Sequence, residues 1–337
     1  MLRAPREPRL VSCERLTFSI VVPCYNDREN VEALLASLRL SGEGWEVIVV
    51  DDCSPQGPPA LLETLPARLI RLERQSGPAA ARNRGAREAC GDVIVFCDAD
   101  IVLAGDALAR VRQHFEEHGE RAIVSSGLLV PHNPGFFPRY KYYQELMWVR
   151  AHTDDYTNHF STRMGAIRKD VFAQTGGFDE TITTAGVEDY EFGYRMRTFT
   201  VSRLARDVAF SHRHPPFAKQ ARLYFTRTAD YVELMHRMRL ANGDVTTIGA
   251  TRSEAATAIL AFSSQVLLVI GLAMPAVLVA SAVVTAVYLA RIRGFIGLLL
   301  EQEGALFAVR GTLTHYLLSC PVVLGATWGT LRRLGRP

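Results

Sequence analysis

Short apolar runs alternate with amphipathic segments through the first hundred residues of the chain. Consecutive apolar residues predict buried strands, whereas apolar residues spaced three and four apart predict helices. On this basis the sequence predicts strands at 18–22, 45–50, 67–72 and 93–97, separated by helices at 27–40, 59–65 and 78–89. Strands that alternate with helices indicate an α/β protein with a mostly parallel sheet flanked by helices. Such sheets bind ligands at the carboxyl ends of their strands.

Long uncharged segments follow residue 254. No charged residue occurs from Ala255 to Ala290 or from Gly311 to Leu331, and about 20 apolar residues are enough for one membrane span. Met274-Pro275 interrupts the first segment, which predicts either a hairpin of two short helices or one kinked helix. Arginines lie both between and after the segments, so the positive-inside rule leaves the number of crossings open. The alternative is a buried helical core.

Two further segments suggest contact with a membrane surface. Residues 224–240 combine apolar and basic positions, as expected of a helix on anionic headgroups or of an ordinary surface helix. Residues 136–148 are rich in aromatic side chains, which could line an acceptor groove, contact headgroups or pack on the sheet. The predicted organisation is an N-terminal tail (1–16), an α/β domain (17–217), an interfacial segment (218–254) and a hydrophobic anchor (255–337).

Composition narrows the class of protein. Hydrophobic residues make up 48% and charged residues 22%, which supports a sizeable core. A net charge of +3 without a long basic run argues against nucleic acid as a partner. The six cysteines show no metal-binding or paired spacing, so free thiols in a reducing compartment are expected. No apolar stretch follows the charged N-terminus, so no signal peptide is predicted and the α/β domain is expected in the cytosol.

Acidic residues are placed where two predicted strands end. Asp51 and Asp52 close the second strand, and Asp98 and Asp100 follow the fourth. Carboxylates gathered at one sheet edge repel each other unless a cation or hydrogen-bond donors lie between them. Mg²⁺ and Mn²⁺ prefer such oxygen ligands, with phosphate oxygens completing the shell. The alternative is that these residues only form turns and cap helices.

The order and spacing of four segments resemble the nucleotide-binding half of family 2 glycosyltransferases, which have the Rossmann-like GT-A fold. These segments are Val21–Asn26, Val50–Ser54, Ser76–Gly85 and Val95–Asp100. Further segments are similar to the acceptor side of that family, namely Gly165–Arg168, Gly176–Glu180 and the pair Glu188-Asp189. The resemblance covers about residues 17–215. It implies a glycosyltransferase domain followed by C-terminal transmembrane segments.

The resemblance assigns a nucleotide site. It implies that the base, ribose and diphosphate are bound by Pro23, Tyr25, Asn26, Asp51, Asp52, Gly77, Arg82, Asp98 and Ala99. The predicted helix at Pro78 would offer free N–H groups to a phosphate. Arg82 offers positive charge, and it is equally suited to an ion pair with an acidic strand end.

The resemblance also implies a metal site and a catalytic base. Asp98, Asp100 and His212 would bind Mn²⁺ or Mg²⁺, although His214 is an alternative to His212. Asp189 would act as the general base, and Glu188 would orient the acceptor or Asp189. Without the resemblance, the acidic residues at 188, 189 and 191 would simply favour a helix N-terminus, and Glu191 would form a surface pair with Arg195.

The predicted function is metal-dependent, inverting transfer of a sugar from a nucleoside diphosphate sugar, with UDP-sugar preferred. The expected acceptor is a hydroxyl of a lipid-linked or envelope glycan, reached from the cytosolic face of an inner or plasma membrane. One alternative is a polyprenyl-phosphate glycosyltransferase, whose acceptor needs no strong base. A different alternative is a non-catalytic membrane scaffold, which would be expected to have lost Asp100 or Asp189.

Overall fold

The computed structural model describes residues 16–40, 44–57, 67–242 and 252–334. The described strands are β1 (Phe18–Cys24), β2 (Trp45–Asp51), β3 (Ala67–Arg71), β4 (Val93–Cys97), β5 (Ile101–Leu103), β6 (Ala122–Leu128), β7 (Tyr156–Thr157), β8 (Met164–Arg168) and β9 (Ser202–His212). The described helices are α1 (Arg28–Leu40), α2 (Pro78–Glu88), α3 (Ala107–Glu116), α4 (Phe136–Ala151), α5 (Lys169–Thr175), α6 (Glu188–Met196), α7 (Phe217–Asn242), α8 (Arg252–Ala273), α9 (Val277–Arg291), α10 (Arg293–Glu303) and α11 (Ala305–Leu334). The predicted helix at 59–65 and most of the predicted N-terminal tail lie outside the described residues.

The described strands form one mixed sheet. Its order is β3-β2-β1-β4-β8-β6-β9-β5, and β7 pairs with β9. The first four strands are parallel, as the alternation of strands and helices predicts. Strand β8 runs antiparallel to β4 and β6, and β5 and β7 run antiparallel to β9. The α/β class is therefore confirmed, and the sheet has a parallel half and a mixed half.

The parallel register brings the strand ends with polar residues together. Cys24 at the end of β1 pairs with Asp51 at the end of β2. Strand β4 lies on the other side of β1, and Val21 pairs with Phe96. The segments that follow β1, β2 and β4 therefore emerge at the same edge of the sheet.

Both faces of the sheet are covered. One apolar cluster joins the β1 side chains Ile20 and Val22 to Leu34 of α1 and Val111 of α3. The other joins residues on the opposite face to helices α2, α5 and α6. Strands buried on both sides read as continuous apolar runs, which is why β1, β2 and β4 were predicted within two residues of their ends.

The chain divides into two compact units. The first contains the described residues up to His132 together with His152–Arg213. The second contains Asn133–Ala151 and the described residues from His214 onward. The sequence placed residues 133–151 inside a contiguous α/β domain, whereas helix α4 groups with the helical unit. Its aromatic side chains pack there, since Tyr140 is buried and its ring lies 5.9 Å from that of Phe295 on α10.

The second unit consists of helices. Met274 and Pro275 separate α8 from α9, and Ser281 Oγ donates to the carbonyl of Ser264 at 3.0 Å across this hairpin. The structure therefore has the hairpin and not the single kinked helix. Two helices, Ser253–Ala273 and Ala305–Leu334, are long and apolar enough to cross a membrane. Helices α9 and α10 would make a third span if counted together, with a bend of 64° between them.

Candidate functional site

The turn after β1 is bound to the turn after β2. Asn26 has a positive φ of 52°, and its N–H donates to Ser54 Oγ at 2.9 Å. Buried Asp51 orients the same serine by accepting its N–H at 3.0 Å. The Tyr25 ring beside this turn is 40% exposed, and Pro23 is partly exposed. The predicted base-binding segment thus presents an aromatic side chain to solvent.

Asp52 holds the loop that precedes α2. Its two carboxylate oxygens accept the N–H groups of Ser76 at 2.7 Å and of Gly77 at 2.8 Å. Gly77 has a φ of 89°, and a Cβ there would lie 2.6 Å from the carbonyl oxygen of Thr183. Only glycine fits this position. Helix α2 begins immediately afterwards, with N–H groups in its first turn that have no intrahelical partner.

Arg82 is buried and bridges two acidic residues. Its Nη2 donates to Asp98 Oδ1 and its Nη1 to Glu188 Oε1, both at 2.7 Å. The other Glu188 oxygen accepts the N–H groups of Gly186 at 2.6 Å and Val187 at 3.0 Å. The ion pair with an acidic strand end is therefore present. Glu188 contacts Arg82 and its own loop, and its role in orienting the acceptor or Asp189 stays a prediction.

Asp98 and Asp100 lie on either side of buried Ala99, between β4 and β5. Strand β5 pairs with the end of β9, and this pairing places His212 Nε2 3.3 Å from Asp100 Oδ2. Burial alone would raise the pKa of the Asp100 carboxyl, but the hydrogen bond and charge of His212, with a smaller contribution from Arg163, hold that pKa below its usual range.

The side chains of Asp98, Asp100 and His212 have the chemistry of a divalent metal site. Carboxylate and phosphate oxygens suit Mn²⁺ and Mg²⁺, whereas an imidazole nitrogen suits a transition-metal ion better than it suits Mg²⁺. The Asp100 side chain is 36% exposed and that of His212 is 17% exposed, so a ligand has access to both. Asp100 and His212 are close enough to bind one ion, and the participation of Asp98 stays a prediction.

Asp189 lies in the first turn of α6. Its Oδ1 accepts the N–H of Tyr190 at 2.9 Å, and its Oδ2 lies 3.6 Å from His159 Nε2. Burial alone would raise the pKa of Asp189, but the His159 imidazole, the charge of Arg82 and the Tyr190 N–H hold that pKa below its usual range. The carboxylate is therefore ionised at neutral pH, and with 17% of its side chain exposed it can accept a proton from a bound molecule.

Part of the chain is similar to a known protein family. The family model "Glycosyl transferase family 2" matches residues 19–176. The chain contains a family 2 glycosyltransferase domain. A structure of the mannosyltransferase PcManGT from Pyrobaculum calidifontis matches 98% of this chain and 91% of its own, with a TM-score of 0.58 and 17% identity. The expected GT-A fold is thereby confirmed.

Two curated relatives each match part of the chain. A dolichol-phosphate mannosyltransferase from Pyrococcus furiosus is 34% identical over 113 residues, which is 32% of either protein. An uncharacterized glycosyltransferase from Haemophilus influenzae is 32% identical over 187 residues, covering 52% of this chain and 60% of the relative. The chain thus spans less than two thirds of the length of either relative.

Sequence reasoning missed two residues of the family 2 domain. His159 lies beside Asp189, and Arg163 contributes positive charge near Asp100. Neither belongs to a recognisable motif, and both come from the segment that joins β7 to β8. Only the antiparallel return of β8 alongside β4 brings that segment to the edge where Asp98 lies, and Asp98 N–H donates to the Arg163 carbonyl at 3.1 Å.

The i,i+4 pair of α6 also differs from its prediction as a surface pair. Glu191 is buried, and its carboxylate accepts two hydrogen bonds from Arg195, at 2.6 and 2.7 Å. Arg195 also donates to the carbonyl of Gly177 at 2.7 Å and to that of Thr175. The pair therefore fastens α6 to the end of α5 within the family 2 domain.

Proposed function

We propose that this protein transfers a sugar from a nucleoside diphosphate sugar to an acceptor hydroxyl, with inversion at the anomeric carbon and with a divalent metal. One observation carries the proposal. Arg82 binds both Asp98, in the candidate metal site, and Glu188, the neighbour of the candidate base Asp189. One buried side chain thus links the strand end that carries Asp98 to the first turn of α6, which carries the candidate base.

The donor would be bound along the edge of the sheet. Tyr25 and Pro23 offer a surface for the base, Asp51 and Asp52 hold the turns around it, and the first turn of α2 offers N–H groups. Asp98, Asp100 and His212 would hold Mn²⁺ or Mg²⁺. Such an ion neutralises the charge that develops on the diphosphate as it leaves.

Asp189 would act as the general base. The acceptor oxygen forms a bond to the anomeric carbon while the bond from that carbon to the diphosphate oxygen breaks. The hydroxyl proton passes to the Asp189 carboxylate, which is ionised and partly exposed. Attack from the side opposite the leaving group inverts the anomeric configuration.

The acceptor is proposed to be a lipid-linked or envelope glycan at an inner or plasma membrane, with the family 2 domain on the cytosolic side. The support is the presence of two helices long and apolar enough to span a membrane. The second candidate function is transfer to a polyprenyl phosphate, which the similarity to the Pyrococcus dolichol-phosphate mannosyltransferase favours. A phosphate acceptor is already ionised and needs no base, so the two functions differ in their dependence on Asp189.

Calorimetry on the full chain in detergent tests the proposal. UDP, GDP, CDP and dTDP would be titrated with Mn²⁺, Mg²⁺ or chelator, into the parent and into Asp100→Asn, Asp189→Asn and the exposed control Asp106→Asn. GDP and Mn²⁺ are included because the Pyrobaculum structure contains GDP-Man and Mn²⁺. We expect metal-dependent binding of one diphosphate, with UDP favoured, that Asp100→Asn abolishes and the other two variants retain.

Turnover then separates the two functions. With a hydroxyl acceptor, Asp189→Asn is expected to lower kcat by about 10²–10⁴-fold while nucleotide binding is retained. A kcat that Asp189→Asn leaves unchanged would support the polyprenyl-phosphate acceptor. If no nucleotide binds to the folded parent under any condition, the transferase proposal is wrong and the scaffold alternative is favoured.

A further inference from the structure

His159 is held next to Asp189 with one nitrogen unused. Its Nε2 atom is inaccessible to solvent, has no hydrogen-bond partner among the described residues and lies 3.6 Å from Asp189 Oδ2. A buried polar atom without a partner is costly, so such an atom in a folded protein calls for an explanation. The atom that faces it belongs to the carboxylate proposed as the catalytic base.

The surroundings of His159 fix the position of its ring. The imidazole lies against the ring of Tyr190, with centroids 4.6 Å apart and planes at 32°. The backbone N–H of His159 donates to Thr157 Oγ1 at 3.1 Å. Helix α6 approaches this segment closely at Gly193, where a Cβ would lie 2.6 Å from the carbonyl oxygen of Asn158. The helix that carries Asp189 and the segment that carries His159 are thus packed backbone to backbone.

The charges around Asp189 come from three elements. His159 faces it from the segment before β8, Arg82 acts from α2, and Glu188 precedes it on α6. Arg82 and Glu188 already bond to each other at 2.7 Å. His159 is therefore the group that directly faces Asp189 Oδ2, while Oδ1 accepts the N–H of Tyr190.

We propose that His159 is a positioning residue for Asp189. Its Nε2 binds Asp189 Oδ2 and orients the carboxylate toward the acceptor hydroxyl. The inference rests on the proposed function for its catalytic meaning. His159 takes no part in the bond changes, because the hydroxyl proton passes to Asp189. Its effect is to stabilise the charged form of a carboxylate whose pKa burial alone would raise.

The interaction of His159 with Asp189 is tested without substrate. The full chain is labelled with ¹³C-aspartate in detergent, the Asp189 carboxyl signal is assigned by its absence in Asp189→Asn, and the signal is titrated with pH. We expect the titration midpoint to rise in His159→Gln and further in His159→Phe, by about one pH unit. Gln retains a hydrogen-bond donor at this position, whereas Phe removes it. Exposed His118, changed to Gln, is the matched control and is expected to leave the midpoint unchanged.

Kinetic measurements test the effect of His159 on catalysis. The nucleotide sugar whose diphosphate binds in calorimetry is used, and diphosphate release is followed against pH. A base whose pKa is held low stays active to lower pH, so the acid limb of kcat is expected to move to higher pH in His159→Gln. If the Asp189 midpoint of folded His159→Gln and His159→Phe equals that of the parent, the inference is overturned. If the midpoint shifts but the parent turns over no nucleotide sugar, only the proposed function fails.

Discussion

At the scale of single residues, the candidate site depends on charges that are buried together. Arg82 is 3% exposed and Glu188 is 2% exposed, and Arg82 binds both Glu188 and Asp98. Removing a charge from water is costly, and the cost is offset only when every partner is in place. A network of this kind adds little net stability compared with an apolar core. It is strongly destabilised when one member is removed.

Replacing Arg82 by Met should therefore destabilise the first unit. The change leaves Glu188 buried without its cation and Asp98 without its 2.7 Å partner, at a cost on the order of 3 kcal/mol. We expect a lower Tm in detergent, and partial recovery in the double variant Arg82→Met/Glu188→Gln. Arg84→Met on the same helix is the control, because Arg84 is 45% exposed and pairs with Glu88 at the surface. Equal Tm values for the two single variants would contradict the argument.

The residues of the candidate site differed in how far the sequence could locate them. Asp52, Asp98 and Asp100 follow apolar strands. The pattern of apolar residues therefore predicted that all three lie at the same edge of the sheet. The pairing of Arg82 with Glu188 could not be predicted, since Glu188 is 106 residues away and only the packing of α6 brings it there. His159 was missed for the same reason, because it belongs to no sequence motif. The sequence motifs identified the candidate side chains. The tertiary contacts determine which atoms of those side chains remain available to a substrate.

At the scale of elements, the two halves of the sheet were not equally predictable. Strands β1, β2 and β4 are largely buried on both faces, so each is a nearly continuous apolar run. Strands β6, β8 and β9 contain small and polar residues, and the pairing of β6 with β9 shifts register between Ser125 and Gly127. An irregular ladder of this kind breaks the period-two alternation by which strands are recognised.

The contact between α7 and α11 gives a prediction at this scale. Gly325 and Gly329 lie one turn apart on α11, and a Cβ at either would meet the carbonyl oxygen of Phe225 or Ala229 on α7, the latter at 2.5 Å. Small residues at this spacing let two helix backbones touch. Gly329→Leu is expected to force α7 away from α11, and Gly329→Ala should do so less.

Size-exclusion profiles and Tm values in detergent measure this effect. We expect aggregation or a large loss of Tm for Gly329→Leu and a smaller loss for Gly329→Ala. The control is Gly297→Leu on α10, where a Cβ has nothing within 4 Å and a better helix former replaces glycine. A Gly329→Leu protein as stable as Gly297→Leu would show that the close approach is not needed.

At the scale of the whole molecule, the chain builds two units from discontinuous segments. The chain passes from the first unit into the second for residues 133–151, returns, and passes into it again at His214. Composition could reveal the apolar helices because their uncharged stretches are continuous. Composition did not show which unit contains α4, because its aromatic residues suit a packed helix in either unit.

Membrane attachment is the prediction that belongs to the whole chain. Large apolar side chains on α8 remain exposed, including Val266 at 41% and Val269 at 67%. Contiguous exposed apolar surface on a helix of this length favours insertion into lipid. We expect the full chain to stay in the membrane pellet after alkaline carbonate washing and to be released by detergent.

Charge placed on that surface should weaken the attachment. An arginine near the centre of a span costs about 2.5–3.5 kcal/mol, so Val266→Arg/Val269→Arg is expected to raise the fraction released by carbonate. Val130→Arg is the matched control, because Val130 is 62% exposed in the first unit and should leave the pellet fraction unchanged. Release of the parent by carbonate, or equal release of both variants, would mean that α8 does not insert. In that case its apolar face would have to be covered by protein.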